Sequence, residues 1–331
     1  MNYDTIEIKK KVLEVGWDLQ LGELKEGYVT EDDIWKKLNY FFFDAKTTTT
    51  YKYGFFKALL ENIYMTTPEG FMSYDHLFYD FTKIYWNLVV HHQLWQSNTK
   101  SRRSVIQGIL EDAQVKYEVP RDWRFDRLPE AVQQSIVQQV KKNGKRYVIG
   151  AFYGDTDGVF YAFHLKDETL QMSLPVVQFL KKYQRLVTNL TNYQLAKFLE
   201  KYNEDFTQML TRVEQVSQRA SLEEFRRLLQ TNTGDCCFYC GKTTRQTLHV
   251  DHFIPWDYVQ SDRLWNFVLA CPTCNTRKNN RVPAPQHLTA LYAQNAKLQQ
   301  LVRMDYFYAY SEQKLQELYQ FATSNGYRVW E

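Results

Sequence analysis

Four of the five cysteines fall into two Cys-x-x-Cys pairs, Cys237-Phe238-Tyr239-Cys240 and Cys271-Pro272-Thr273-Cys274, about thirty residues apart in a chain of 331. A tight turn presents two thiolates on one side. Two such turns brought together place four sulfurs at the tetrahedral spacing that zinc requires. The segment between them is too short to build much core of its own, so metal binding there is folding free energy. Cys236 is left over, and it is expected to be a spectator thiol, the alternative being that it replaces Cys237 as ligand. Residues 1–20 mix Lys9, Lys10 and Lys11 with Asp4, Glu7 and Glu14, and no apolar run is long enough for a signal or a membrane span. A reducing cytoplasmic setting without a membrane is therefore expected, in which paired cysteines serve metals rather than disulfides.

Around this segment the chain is poor in turn formers. Gly 13 and Pro 8 make up about 6% of the residues, roughly half of average usage, which favours long helices and excludes an all-β sandwich, a collagen-like chain or a disordered one. The charges nearly cancel, with Lys+Arg 41 against Asp+Glu 38 and a net +3, so any surface for nucleic acid must be local. Helices are expected from Thr30, with Glu31, Asp32 and Asp33 in a first turn. Further helices are expected over 50–65, with Tyr53, Phe56, Leu60 and Tyr64 on one face, and over 73–94, with Leu77, Phe81, Ile84 and Leu88. A connection over 120–129 leads to a helix over 130–142. The β-rich runs 146–153 and 159–165 flank Gly154-Asp155-Thr156-Asp157-Gly158 and predict a hairpin, with a third short strand over 169–172. Helix resumes at Pro175, breaks around 188–191, and continues to about 229; 285–302 and 311–323 are helical again. The aromatic stripes of these helices are expected to be core.

A zinc bound by four thiolates is closed and does no chemistry. The residues held between and after the knuckles therefore decide function: Leu248-His249-Val250-Asp251-His252-Phe253-Ile254-Pro255-Trp256, then Trp265-Asn266-Phe267-Val268-Leu269-Ala270, then Asn275-Thr276-Arg277-Lys278-Asn279-Asn280-Arg281. A strand over 248–250 delivers an adjacent Asp and His, and Cys274 is expected to open a helix carrying Asn275 and Lys278. A carboxylate and an amide oxygen can hold a hard cation such as Mg²⁺, and an imidazole can deprotonate water beside it.

At these residues the chain resembles the HNH nuclease family, of the zinc-stapled kind with a ββα-metal fold, over about residues 237–283. The resemblance implies an endonuclease acting on DNA, an RNA-cleaving nuclease being the alternative, that uses Mg²⁺ or Mn²⁺ beside a structural zinc held by Cys237, Cys240, Cys271 and Cys274. It implies His252 as general base, Asp251 as metal ligand, and Asn266 as the middle Asn that braces the loop and orients the base. Asn275 would be the second metal ligand, where many members have His. Arg277, Lys278 and Arg281 would bind phosphate, with Lys242, Arg245 and Arg263 extending the track, and the products would carry 5′ phosphate and 3′ hydroxyl ends. The spelling is similar to members from restriction and phage-defence systems.

The expected architecture is α+β. A mostly helical module over 1–230, with a hairpin near 146–165, would select substrate, oligomerise or regulate cutting; a ββα-metal domain over 231–284 and a helical tail over 285–331 would follow. Asn279 is expected to be a solvated helix residue, His249 either a substrate contact or a buried histidine, and His76, His91, His92, His164 and His287 packing or surface residues. The competing reading is a zinc ribbon that binds nucleic acid or protein without cutting, although such a ribbon has no need of Asp251, His252 and Asn275 together. An interaction protein built on the helices is a third.

Overall fold

The computed structural model describes residues 18–204, 207–218, 221–243 and 247–331. The charged residues of the first seventeen positions and Arg245 lie outside them. The chain is α+β, and among the described residues three small sheets are set among helices.

Thr30 opens α1 (Glu31–Asn39) with a reciprocal cap: its hydroxyl accepts from the Asp33 amide at 3.2 Å, and the Asp33 carboxylate accepts from the Thr30 amide at 3.1 Å. α2 (Tyr51–Glu61) lies at the centre, with ten of its eleven residues buried, because α3 (Tyr74–Trp86), α5 (Glu130–Asp155) and α7 (Gln184–Tyr202) all pack on it. The helix expected over 50–65 ends as a 3₁₀ turn, Ile63–Met65, and the one over 73–94 ends as a π turn, Asn87–His91. α4 (Val105–Lys116) packs on α5. The aromatic stripes meet in this core, where Phe152 stacks on Phe56 at 5.1 Å and receives Phe41 edge-on at 4.8 Å.

Two local expectations are corrected. Residues 146–153 are the last third of α5, not a strand. Val140, Gly144, Val148 and Phe152 are buried at intervals of four along that helix, and this stripe outweighs the β propensity of Tyr147-Val148-Ile149. The hairpin lies further on: β2 (Tyr161–His164) pairs antiparallel with β3 (Thr169–Met172), and β1 (Leu21–Gly22) flanks β2. The helix break expected at 188–191 falls instead at Tyr183, between α6 (Leu174–Lys182) and α7. The threonines in question stay helical, the Thr191 hydroxyl donating to the Val187 carbonyl at 2.7 Å.

α8 (Met209–Gln215) and α9 (Glu223–Thr233) lead to the cysteine segment. There β4 (His249–His252), α10 (Trp256–Val259), β5 (Phe267–Ala270) and α11 (Pro272–Lys278) follow in order. The residues expected as a tail fold back onto this segment. β6 (Val282–Pro283) pairs in parallel with β7 (Val329–Trp330). From α12 (Pro285–Leu301), Asn295 donates to the Trp265 carbonyl at 2.8 Å and Gln294 to the Phe267 carbonyl at 2.9 Å. α13 (Glu312–Ser324) lies against α6 and β6. Among the described residues, no helix is long and apolar enough to cross a membrane.

Candidate active site

The first knuckle turns through Gly241, whose φ of 68° suits glycine, and its amide donates to the Cys237 carbonyl at 2.8 Å. The Phe238 amide donates to the Leu269 carbonyl at 2.7 Å, tying this knuckle to β5. The second knuckle starts α11, with Cys271 as its N-cap; Cys274 lies within the first turn rather than opening the helix. The sulfurs of Cys237, Cys240, Cys271 and Cys274 all lie within 4.8 Å of one another, close to the edge of about 3.8 Å that Zn–S bonds imply for a tetrahedron. Burial opposes the Cys237 thiolate, but hydrogen bonds from the backbone of Cys271, Cys240 and Tyr239 bring the thiol down to about 7 from an ordinary 9.0. Burial and the other three cysteines push Cys274 up. A divalent cation removes that conflict, so the donor set fits zinc. Cys236 stands apart, exposed, its sulfur 3.4 Å from the Thr243 hydroxyl.

β4 and β5 pair antiparallel, with His249 opposite Ala270 and His252 opposite Phe267. Successive strand residues face opposite ways, so Asp251 and His252 serve different partners. Asp251, 8% exposed, accepts from the Tyr239 hydroxyl at 2.6 Å and pairs with Lys278 Nζ, 3.2 Å from Oδ1 and 3.1 Å from Oδ2. Lys278 also donates to the His252 carbonyl at 2.8 Å and is 1% exposed, so the residue expected on a phosphate track is instead an internal counter-ion. Burial pulls its pKa down, opposed by Asp251. Asn275 lies on the His249 side, its Nδ2 3.3 Å from His249 Nδ1, and His249 is exposed rather than buried. Asp251 and Asn275 supply hard oxygen donors that fit Mg²⁺ or Mn²⁺ in kind, with the Lys278 ammonium as the present neutraliser of the carboxylate.

On the other side of β4, His252 packs against Phe267, ring centroids 4.7 Å apart, and its Nε2 lies 2.8 Å from Asp262 Oδ1. When Asp262 is ionised it only accepts, and a neutral His252 then carries its proton on Nε2 and its lone pair on Nδ1. Asp262 was not expected from the sequence. Its only signal is a carboxylate ten residues past the histidine in a loop without periodicity. Asn266, fully buried, braces the loop after β4 from both sides: the Ile254 amide donates to its Oδ1 at 2.8 Å, and its Nδ2 donates to the Ile254 carbonyl at 2.9 Å. It does not touch the imidazole ring by these bonds; Asp262 and Phe267 hold the ring.

Arg263 turns away from any phosphate track into the helices, where its Nη2 lies 3.2 Å from Asp80 Oδ2 of α3 and 3.4 Å from the Glu61 carbonyl. Arg277 and Lys242 are exposed, and Arg281 is partly buried, its guanidinium donating to the carbonyls of Lys278, at 3.3 Å, and Arg277. Asn279 ends α11 with a φ of 48°. The remaining histidines pack: His76 on Tyr308, His91 on His92, and His287 on Trp330, while His164 lies 2.9 Å from Asp167.

A four-sulfur staple, a two-stranded hairpin, a short helix and a carboxylate-held histidine define a zinc-stapled ββα domain of nuclease type. The HNH endonuclease family matches residues 237–281, and the chain carries an HNH endonuclease domain there. No curated protein and no solved structure matches the chain.

Proposed function

We propose that this protein is a metal-dependent endonuclease that hydrolyses phosphodiester bonds of DNA in restriction or defence against phage, RNA being the alternative substrate. The observation that carries the reading is the His252–Asp262 pair, 2.8 Å apart within the matched segment. His252 Nδ1 takes a proton from water, and the water oxygen attacks phosphorus in line with the 3′ oxygen. The P–O3′ bond breaks and the departing 3′ oxygen takes a proton from bulk water, leaving a 5′ phosphate and a 3′ hydroxyl. Asp262 keeps Nδ1 aimed and stabilises the imidazolium. Asp251 and Asn275 would hold Mg²⁺ or Mn²⁺, which supplies charge neutralisation at phosphate oxygens when bound. Exposed Arg277, with Arg281 and Lys242, would meet the flanking phosphates. The defence setting is supported by the spelling His249-Val250-Asp251-His252-Phe253-Ile254-Pro255-Trp256, and the helices before residue 231 would select substrate or regulate cutting.

One observation favours a binding-only zinc module: Asp251 is already neutralised by Lys278. Incubating the purified chain with plasmid, single-stranded DNA and RNA, with and without Mg²⁺ or Mn²⁺, separates the two. Divalent-dependent cutting of DNA that His252→Ala abolishes is expected. Binding without cutting under every condition would overturn the nuclease reading.

A further inference from the structure

Asp262 lies in an irregular stretch between α10 and the 3₁₀ turn Leu264–Asn266, where side-chain anchors rather than strand pairing must fix the backbone. Its neighbour Arg263 is extended, with φ -121° and ψ 129°, and successive residues of an extended chain point opposite ways. Asp262 therefore faces His252, at 2.8 Å, while Arg263 faces the helices.

The surface that receives Arg263 is held together by its own hydrogen bonds. Asn62, fully buried just after α2, donates through Nδ2 to Asp80 Oδ2 of α3 at 2.8 Å and to the Ala58 carbonyl at 2.9 Å. Against this pair Arg263 Nη2 has three acceptors within reach: Asp80 Oδ2 at 3.2 Å, and Asn62 Oδ1 and the Glu61 carbonyl, both at 3.4 Å. The Asp80 side chain is 14% exposed and that of Arg263 19%, so salt screens their attraction little. The flanks of the loop rest on the same helices. Tyr258 of α10 donates to the Lys181 carbonyl of α6 at 2.8 Å, and Trp265 meets Tyr64 of the turn after α2 edge-on, ring centroids 6.5 Å apart. Each of these receiving groups lies outside residues 237–281, the segment that the nuclease family matches.

We propose that Asp80 and Asn62 are positioning residues for the His252–Asp262 pair: they seat Arg263, and Arg263 fixes the loop from which Asp262 holds the imidazole. The helices before the zinc segment are then a working part of the site, in addition to any part in choosing substrate. The catalytic consequence rests on the nuclease reading; the effect on the imidazole does not.

The test uses the full, zinc-loaded chain and two readouts. One is the ring ¹⁵N spectrum of His252 at alkaline pH, in which the parent is expected as a single tautomer with its proton on Nε2. The other is steady-state cleavage of a labelled duplex in Mg²⁺. Asp80→Asn keeps the shape of the side chain but leaves the Arg263 charge without its partner. Asp80→Asn combined with Arg263→Met removes both charges, and the new amide can still accept from Asn62. The double variant should melt closer to the parent than Asp80→Asn does, because no buried charge is left over. It should nevertheless show a mixture of tautomers and a kcat about tenfold to a hundredfold below the parent, with KM and zinc content unchanged. A merely structural ion pair would instead recover kcat together with stability. A tautomer mixture already in the parent, a single Nε2–H tautomer in the double variant, or parental kcat in that variant would each overturn the proposal. A parent that cuts nothing, with tautomers that respond as expected, would overturn the nuclease reading and uphold the positioning of His252 by Asp80 and Asn62.

Discussion

His252 Nε2 lies 2.8 Å from Asp262 Oδ1, and the next residue, Arg263, reaches Asp80 of α3. The imidazole is thereby positioned from the helices before the zinc segment as well as from its own strand.

Asp262→Asn should therefore lower kcat while leaving KM and zinc content unchanged. An amide can present its NH₂ to Nε2 and turn the ring proton onto Nδ1, the nitrogen needed as base. The expected loss is about 10–100-fold, typical of a group that orients another, against about 10²–10⁴-fold for His252→Ala. Single-turnover cleavage of a labelled duplex checks both; an Asp262→Asn variant at parental rate would refute the pairing.

Lys278 and Asp251 form a buried pair, and removing one partner of such a pair costs about 3–5 kcal/mol because the other charge is left unpaired. Lys278→Met should lose stability on that scale by urea unfolding. Lys278→Met combined with Asp251→Asn should lose clearly less than the two single losses added. The same Lys278→Met chain should bind Mg²⁺ more tightly than the parent, since the ammonium no longer occupies the carboxylate.

Zinc and the exchangeable cation should separate experimentally. Mild EDTA is expected to abolish cleavage reversibly, Mg²⁺ or Mn²⁺ restoring it with about one zinc still bound per chain, since four thiolates hold zinc by about 10 kcal/mol or more. Cys240→Ser or Cys271→Ser should lose zinc and unfold the segment. Active protein without zinc in metal analysis would contradict this division.

Burial, opposed by Lys57 and reinforced by Asp80, pushes the Glu61 carboxyl up to about 7 from an ordinary 4.5. The folded chain thus favours the protonated acid. Its contribution is complete below about 4.5, falls as pH rises, and is lost by about 7. Glu61→Gln, which cannot ionise, should melt above the parent at pH 8, with the gap narrowing towards pH 5. A gap that widens on acidification would show the sign to be wrong.

Much of the site was legible because it is local. The two Cys-x-x-Cys turns and a short strand over 248–250 delivering Asp251 and His252 follow from residues close together in the chain, the strand in fact running over His249–His252, while the bracing Asn266 came from the family resemblance and the α+β class from the pattern of the whole chain. The reading failed where short-range propensity met long-range packing. Tyr147-Val148-Ile149 suit a strand by composition, yet Gly144, Val148 and Phe152 are buried along α5, so the helix continues. By itself the sequence determined the zinc ligands and the order of the site motifs, since ligand spacing and strand alternation are properties of consecutive residues. Only the tertiary structure decided that Lys278 neutralises Asp251, that Asp262 holds His252, and that Arg263 enters the helices. Each of those joins polar or charged groups from separate segments, and burial makes leaving any one of them unpaired costly.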